Sequence, residues 1–161
     1  MRLIEAKIKS NKELRNIILR FKGKGKKIAF TNGCFDILHY GHVNYLQKAK
    51  RLADILVVAI NTDSSVKRIK GKDRPVINLK DRISTVAALE SVDFVTSFNQ
   101  DTPLNLIKLL KPDILVKGGD WNKNKIVGKD VVESVGGRVI KLPYVKGHSS
   151  SKIIKRIGKD F

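Results

Sequence analysis

The stretch TNGCFDILHYGH, residues 31–42, runs from the end of a β-rich segment into a helical pattern and carries two histidines three positions apart. His39 and His42 are therefore expected at a helix N-terminus, just beyond a strand. Free backbone N–H groups at such a terminus attract anions, two imidazoles add directed hydrogen bonds, and Gly41 lets a ligand approach the main chain. The stretch predicts a phosphate-binding loop.

Short β-rich runs alternate with helical patterns along the chain. The β-rich runs are 27–31, 55–60, 93–96, 114–116 and 138–141, and the helical patterns are 11–21, with Asn11 as N-cap, 42–52, 79–90, 103–110, 128–135 and 150–157. This alternation predicts a parallel sheet with right-handed crossovers. The run LVVAI, 56–60, is apolar without interruption, as expected for a central strand covered on both faces. We expect an α/β fold with a five-stranded parallel sheet and helices on both faces.

The length of 161 residues predicts one domain, with a helical lead-in over 1–26 and a catalytic core over 27–157. Cys34 is the only cysteine, which excludes an intramolecular disulfide and a CxxC metal site. No segment approaches the roughly 20 apolar residues of a membrane span, and no signal peptide is recognisable. We therefore expect a soluble protein of the cytoplasm.

The chain carries 33 lysines and arginines against 15 acidic residues, a net charge of +18. Such a charge suits nucleic acid, an anionic membrane surface or a small polyanionic substrate. The basic residues are spread along the chain without an aromatic-rich nucleic-acid motif, so nucleic acid is not the favoured partner. Three histidines without an HExxH pattern make a poor zinc ligand set, and no G-x-S-x-G elbow indicates a hydrolase.

In this context HYGH resembles the HxGH signature of the cytidylyltransferase-like nucleotidyltransferase superfamily. Within that superfamily, residues 13–157 resemble the heptose 1-phosphate adenylyltransferase domain of the bifunctional ADP-heptose synthesis proteins. The shared stretches are KELRNIILRFKGKGKKIAFTNGCFDILHYGHVNYLQKAKRLAD, VAINTDSSVKRIKGKDRPV, AALESVDFV, DTPLNLIKLLKPDILVKGGDW and IVGKDVVESVGG. The resemblance implies a Rossmann-like nucleotidyltransferase fold.

The resemblance also implies a reaction. The anomeric phosphate of a heptose attacks the α-phosphorus of ATP and expels pyrophosphate without a covalent enzyme intermediate, so the enzyme supplies positioning and charge stabilisation. Mg²⁺ is expected to accompany ATP, and no dedicated metal cage is evident in the sequence. Relatives form homodimers. They also carry a ribokinase-like domain before this module, so the expectation here is a stand-alone transferase with the kinase supplied separately.

The resemblance assigns roles to individual residues. It implies that His39 and His42 hold the α- and β-phosphates, and that Lys70 and Arg82 act with them in catalysis. Asp36 has helix-loop capping as an equally favoured role, and KRIKGKDRP, 67–75, is expected to be a loop that closes over ATP. The implied nucleotide-binding residues are Thr31, Asn32, Gly33, Phe35, Asp36, Gly41, Gly118, Ser149, Ser150 and Ser151, and the implied acceptor-binding residues are Lys67, Lys72, Arg74 and Asp120.

Three alternatives stay open. Glycerol-phosphate cytidylyltransferases share HxGH, but their final motif has Arg, Thr and Glu before the glycine, where this chain has Tyr144, Val145 and Lys146 before Gly147. That difference favours the adenylyl reaction. FAD synthetases share the early motif but resemble the chain less in KRIKGKDRP and VKGGDW. A non-catalytic nucleic-acid-binding protein would explain the charge but neither HxGH nor the serine run 149–151.

Overall fold

The computed structural model describes residues 3–119, 126–143, 145 and 147–158. The elements are α1 (Ile4–Lys7), α2 (Asn11–Gly23), β1 (Ile28–Gly33), α3 (Tyr40–Lys50), β2 (Ile55–Asn61), α4 (Asp63–Lys70), α5 (Leu79–Ala87), β3 (Phe94–Phe98), α6 (Leu104–Leu110), β4 (Ile114–Gly118), α7 (Lys129–Glu133), β5 (Arg138–Leu142) and α8 (Ser150–Ile157). None of the helices in these ranges is long and apolar enough to cross a membrane.

The five strands form one parallel sheet in the order β3-β2-β1-β4-β5. β1 lies between β2 and β4, with Ala29 paired to both Leu56 and Ile114. The predicted fold class and all five predicted strands are confirmed. The chain winds outward from β1 in one direction as far as β3 and then crosses back to β4, so the strand order reverses between β1 and β4.

Successive residues of β2 point into two different cores, which is why this strand is apolar at every position from Ile55 to Ile60. Leu56 and Val58 pack with α3 and α5 on one face of the sheet. Val57 and Ala59 pack with α2 and α6 on the other face. All of β2 is buried. The two-sided cover that the run 56–60 predicts is confirmed.

Two local predictions are wrong. The N-cap of α2 is Ser10 rather than Asn11, because Ser10 and Glu13 form a capping box with reciprocal hydrogen bonds. The segment KRIKGKDRP is not a loop throughout, because its first four residues complete α4, which is capped by the Thr62 side chain. Only the part from Gly71 onward connects α4 to α5 as a loop.

Aspartates hold the amino edge of the sheet together. Each comes directly before a strand or at its start and accepts a backbone N–H of a neighbouring strand. Asp54 accepts from Lys27 at 2.8 Å, Asp113 from Ile28 at 2.8 Å, and Asp93 from Leu56 at 2.7 Å. Lysines pair with the same three carboxylates in the ion pairs Lys26–Asp54, Lys22–Asp113 and Lys50–Asp93. These three acidic side chains are therefore hydrogen-bonded and ion-paired at the sheet edge opposite the predicted phosphate loop.

Candidate active site

A cavity of about 850 Å³ opens at the carboxyl edge of the sheet, beyond the ends of β1 and β4. Ligands of open α/β sheets bind at such a reversal of strand order, because the loops there diverge and leave a crevice. The structure brings most of the predicted site residues to this one cavity. Those lining it are Asn32, Gly33, Phe35, Asp36, His39, Gly41, His42, Lys70, Arg74, Gly118, Ser149, Ser150 and Ser151.

The two histidines of HYGH form a stacked pair at the start of α3. Their ring centroids are 3.9 Å apart and their planes differ by 18°. His39 is the N-cap residue, and its carbonyl accepts the His42 N–H at 2.9 Å. The Phe35 ring packs against the His42 ring, with 5.2 Å between their centroids. The φ of Phe35 is 46°, a left-handed value that is unusual for a residue other than glycine. The loop thus presents two parallel imidazoles to the cavity.

The pKa values of both imidazoles are lowered in the free protein, which favours their neutral forms. Burial lowers the pKa of His42 to about 4, and the neighbouring His39 adds to the shift. Burial also lowers the pKa of His39, assisted by the charge of His148. The Nδ1 atoms of His39 and His42 are buried and have no hydrogen-bond partner among the described residues. A buried ring nitrogen without a partner is costly, so the pair favours a ligand that supplies hydrogen bonds.

A side chain at position 41 would crowd the histidines, so Gly41 suits their close packing. A Cβ at this position would lie 3.0 Å from the Cε1 and Nδ1 atoms of His39 and 3.0 Å from the Cβ of His148. His148 also packs edge-on against Tyr40. The C-terminal segment therefore closes over the first turn of α3, and its three serines meet the histidine pair in one cavity.

The serines are arranged around the start of α8. Ser149 is the N-cap residue, and its hydroxyl makes no capping hydrogen bond in the described part of the chain. Ser150 donates to the carbonyl of Ile37 at 3.0 Å, which ties α8 to the HYGH loop. A second helix N-terminus thus faces the cavity beside that of α3.

None of the hydrogen bonds that Asp36 makes within the described part of the chain goes to a histidine. Its carboxylate accepts hydrogen bonds from Arg74 at 2.6 Å and from the N–H groups of Val76 and Ile77 at 2.8 and 2.9 Å. Burial opposes ionisation, but the two N–H groups and the Arg74 guanidinium outweigh it and hold the pKa of Asp36 below its usual value. Asp36 therefore anchors the loop before α5 to the HYGH loop.

Arg82 lies beneath the cavity rather than in it. Its side chain is fully buried and donates to the carbonyls of Ile77 and Cys34 and to Asp63, at 2.9, 2.6 and 2.6 Å. The predicted contact of Arg82 with a phosphate has no support in this geometry, since these acceptors engage each of its nitrogens. Thr31 is likewise buried, and its hydroxyl bonds to that of Tyr45 at 2.7 Å.

The remaining predicted residues lie elsewhere. Lys67 is exposed on α4, and Lys72 is exposed in the loop that follows. Neither lines the cavity, so their predicted acceptor contacts stay predictions. Asp120 and Trp121, with Tyr144 and Lys146, lie outside the described residues.

Lys117, the next-to-last residue of β4, is a cavity residue that was not among those predicted from the sequence. It lines the cavity and donates a hydrogen bond to Asn32 of β1 across the reversal of strand order. Burial lowers the pKa of its ammonium group to about 8. The signal was present, because a lysine directly precedes two glycines where the fourth predicted strand ends.

The family of the chain follows from comparison with known proteins. Residues 30–156 match the family model described as cytidylyltransferase-like. The chain belongs to the cytidylyltransferase-like family. It is accordingly an enzyme of the nucleotidyltransferase type, and the matched residues span the stacked histidines, the Lys117 strand and the serine-capped helix α8. The resemblance drawn from HYGH is confirmed.

Two curated relatives show how far the similarity extends. The bifunctional protein HldE of Geobacter metallireducens is 54% identical over 153 residues, which are 95% of this chain and 31% of that protein. The bifunctional protein HldE of Helicobacter hepaticus is 51% identical over 154 residues, which are 96% of this chain and 31% of the relative. The chain thus spans about a third of the length of the curated relatives it matches.

Solved structures support the fold. The lipopolysaccharide core biosynthesis protein from Thermoplasma volcanium superposes with a TM-score of 0.63 at 28% identity, over 77% of this chain and 100% of that one. Pantothenate synthetase from Thermus thermophilus also gives a TM-score of 0.63, over 91% of this chain and 67% of that one. The second structure is 17% identical, so it speaks for the fold alone.

The low pKa of His42 predicts that the free energy of unfolding decreases as the pH is lowered. In the unfolded chain the His42 side chain takes up a proton near its ordinary pKa of 6.5, whereas burial lowers its pKa to about 4 in the folded protein. Protonation therefore favours the unfolded state between these values. We expect this ring to cost on the order of 1–2 kcal/mol of unfolding free energy between pH 7 and pH 5, allowing for its partial exposure.

The measurement is urea unfolding at a series of pH values. His42→Asn should show a shallower loss of stability on acidification than the wild type, since the titrating ring is gone. Asn44→Ala, on the same helix, is the control and should keep the wild-type slope. An unchanged slope in His42→Asn would contradict the assignment of a neutral, buried His42.

Arg82 is predicted to act chiefly on stability. Arg82→Met leaves two carbonyls and Asp63 without their donor, so we expect a loss of about 3–5 kcal/mol of unfolding free energy. Arg68→Met is the matched control, because the Arg68–Asp101 pair is exposed and worth at most about 1 kcal/mol. Urea unfolding measures both. A stable Arg82→Met protein that has lost only turnover would instead support the direct phosphate contact.

Proposed function

We propose that the protein transfers AMP from ATP to the phosphate of a heptose 1-phosphate, giving ADP-heptose and pyrophosphate. The observation that carries the proposal is the stacked pair of partly buried imidazoles, each with a buried Nδ1 that has no partner among the described residues, between two helix N-termini at the reversal of strand order. This arrangement offers hydrogen bonds and positive potential to a polyphosphate. Of the two described carboxylates that line the cavity, Asp36 is engaged by Arg74 and two N–H groups and Asp101 by Arg68, so an opposite charge or N–H groups compensate each of them.

The proposed chemistry is a direct displacement. A phosphate oxygen of the sugar phosphate forms a bond to the α-phosphorus of ATP, and the bond from that phosphorus to the bridging oxygen of the β-phosphate breaks. The electron pair leaves with pyrophosphate. The acceptor phosphate is already ionised, so the step needs no general base from the protein.

His39 and His42 serve this reaction as donors. Each neutral imidazole carries one N–H, which can hydrogen-bond a phosphoryl oxygen while the phosphorus is five-coordinate. Because the rings are partly buried, these bonds act in a medium less polar than water and are pre-aligned. The bound anion would also raise the pKa of both rings toward their ordinary value.

Lysines complete the proposed charge balance. Lys70, at the end of α4, lines the cavity and is exposed to solvent, which suits a group that closes on the polyphosphate when it binds. The ammonium group of a lysine about 4 Å from a phosphate oxygen contributes perhaps 4 kcal/mol at an effective dielectric constant of 20. The three serines at α8 would bind the remaining phosphoryl oxygens.

The choice of ATP and a heptose rests on the relatives. The HldE proteins match 95% of this chain at about half identity, and the Thermoplasma structure is named for lipopolysaccharide core biosynthesis. ADP-heptose is the activated sugar that the sequence resemblance implies for that route. We also propose that the enzyme works as a homodimer in the cytoplasm, where ATP is available.

Magnesium is proposed to arrive as the complex with ATP. Among the described residues, no group of three or more His, Cys, Asp or Glu side chains is placed to hold a metal ion. The protein offers hydrogen-bond donors rather than a cage of oxygen ligands. The polyphosphate itself is therefore the proposed ligand, and MgATP is the substrate.

The test is a set of parallel assays of pyrophosphate release. Heptose 1-phosphate is offered with MgATP or MgCTP, and glycerol 3-phosphate is offered with each nucleotide in turn. We expect turnover with ATP and heptose 1-phosphate, and ADP-heptose as the second product. Turnover only with CTP and glycerol 3-phosphate would replace the proposal by the cytidylyl alternative. Silence in every combination, together with salt-dependent RNA binding, would replace it by the binding-protein alternative.

His42→Ala is predicted to lower turnover about 100- to 1,000-fold, because one pre-aligned donor to the pentavalent phosphorus is lost. The fold should survive, since His42 lies on a cavity wall. Lys80→Ala, an exposed residue on α5, is the control and should keep wild-type turnover. The rates are measured at saturating substrates, with circular dichroism to verify folding. Near-normal turnover of folded His42→Ala would refute the role of this histidine.

A further inference from the structure

Lys117 combines three properties that the role of the histidines leaves unexplained. It is a cation in the wall of the cavity, it is partly buried, and it sits on β4 directly beside β1 at the reversal of strand order. Its one hydrogen bond among the described residues goes to the side-chain oxygen of Asn32, a neutral amide. An ammonium group has three N–H donors, so two remain for other acceptors.

The charges around the cavity set Lys117 apart from the other cations. Both described carboxylates that line the cavity already hold an arginine, Asp36 with Arg74 and Asp101 with Arg68. Lys117 makes no ion pair within the described part of the chain. Lys70 is exposed and can remain fully hydrated, whereas Lys117 has given up part of its water without gaining a carboxylate from the described residues.

Such a cation is costly to the free protein. Removing an ammonium group from water is unfavourable unless an opposite charge replaces the hydration. The pKa of Lys117, lowered to about 8 by burial, reflects the same cost. A position of this kind gains most from an anion that enters the cavity, because the attraction acts at short range and away from bulk water.

We propose that Lys117 binds a phosphoryl oxygen of the substrates at the wall of the cavity, with Asn32 holding its ammonium group in place. The inference rests on the proposed function in that the ligand is taken to be a phosphate ester. It adds a cation from the opposite strand to the histidine donors on α3. The phosphate would then be held between β4 and the HYGH loop, from both sides of the strand reversal.

A purely structural role for Lys117 makes the opposite predictions. If the bond to Asn32 serves mainly to join β1 to β4, its removal destabilises the free protein and leaves anion affinity unchanged. If the ammonium group is kept for an anion, its removal leaves the free protein as stable as before or more stable, and weakens anion binding. Stability and affinity measured on one variant therefore distinguish the two roles.

The experiment compares wild type, Lys117→Met and Lys80→Met in the full chain. Methionine is close to lysine in shape and carries no charge, and Lys80 is the exposed control. Thermal unfolding is recorded without ligand, and calorimetry gives the affinity for inorganic pyrophosphate, ATP, CTP and heptose 1-phosphate. Lys117→Gln serves as a second neutral variant should the methionine variant fold poorly.

We expect Lys117→Met to unfold at or above the wild-type temperature and to bind phosphate ligands roughly 10- to 100-fold more weakly, while Lys80→Met keeps both properties. A loss confined to pyrophosphate and the nucleotides assigns Lys117 to the nucleotide phosphates, and a loss confined to heptose 1-phosphate assigns it to the acceptor. Unchanged affinity for all four ligands in folded Lys117 variants would overturn the inference.

The outcome does not depend on turnover. A wild-type protein that binds pyrophosphate and ATP but makes no ADP-heptose would refute the proposed reaction, and the affinities of the Lys117 variants would still decide the inference. A wild-type protein that makes ADP-heptose, with unchanged ligand affinity in the variants, would keep the proposed function and remove Lys117 from it.

Discussion

The geometry of the site depends on the hydrogen bonds that the Asp36 carboxylate accepts. This carboxylate joins the loop between β1 and α3 to the segment before α5 through Arg74 and the N–H groups of Val76 and Ile77. Beneath it, Arg82 links the same two segments through the carbonyls of Cys34 and Ile77. The loop that carries the histidines is thereby fixed at its base, although Phe35 adopts a left-handed conformation within it. The stacked imidazoles can face the cavity without hydrogen-bond partners because their loop is held from below.

The described acidic residues have different partners at the two edges of the sheet. At the amino edge, Asp54, Asp93 and Asp113 accept strand N–H groups and pair with lysines. At the carboxyl edge, the lining carboxylates are turned toward arginines, and two helix N-termini open into the crevice. The pairing of the described carboxylates at the crevice favours an anion there, where a polyphosphate is proposed to bind, and the net charge of +18 favours its approach.

The sequence predicts the sheet well because β2 has a continuous apolar run and the other strands alternate with helices whose spacing is regular. It predicts α4 poorly, since DSSVKRIK is short and polar and its helix depends on the Thr62 cap. The gathering of His39 and Ser149 in one cavity agrees with the motifs, because each is the N-cap residue of a helix that begins at the carboxyl edge of the sheet, and Arg74 reaches the same cavity from the loop between α4 and α5. The position of Arg82 does not follow from any motif. Whether an arginine faces a cavity or lies under its floor depends on acceptors from distant segments, here Cys34 and Asp63.

The weak docking of α8 means that the sheet can be fully folded before the cavity has all of its walls. None of the described residues of α8 is buried, yet the helix brings the three serines to the cavity, and its Ser150 bonds to Ile37. The two apolar cores lie on the two faces of the sheet, and neither contains a residue of α8. Local unfolding of the last helix therefore costs far less than global unfolding, and it opens one wall of the cavity while the sheet stays intact. A polyphosphate that contacts both α3 and α8 would supply the stabilising contacts that α8 does not obtain from an apolar core. Substrate binding and the folding of the C-terminal helix would then be thermodynamically coupled.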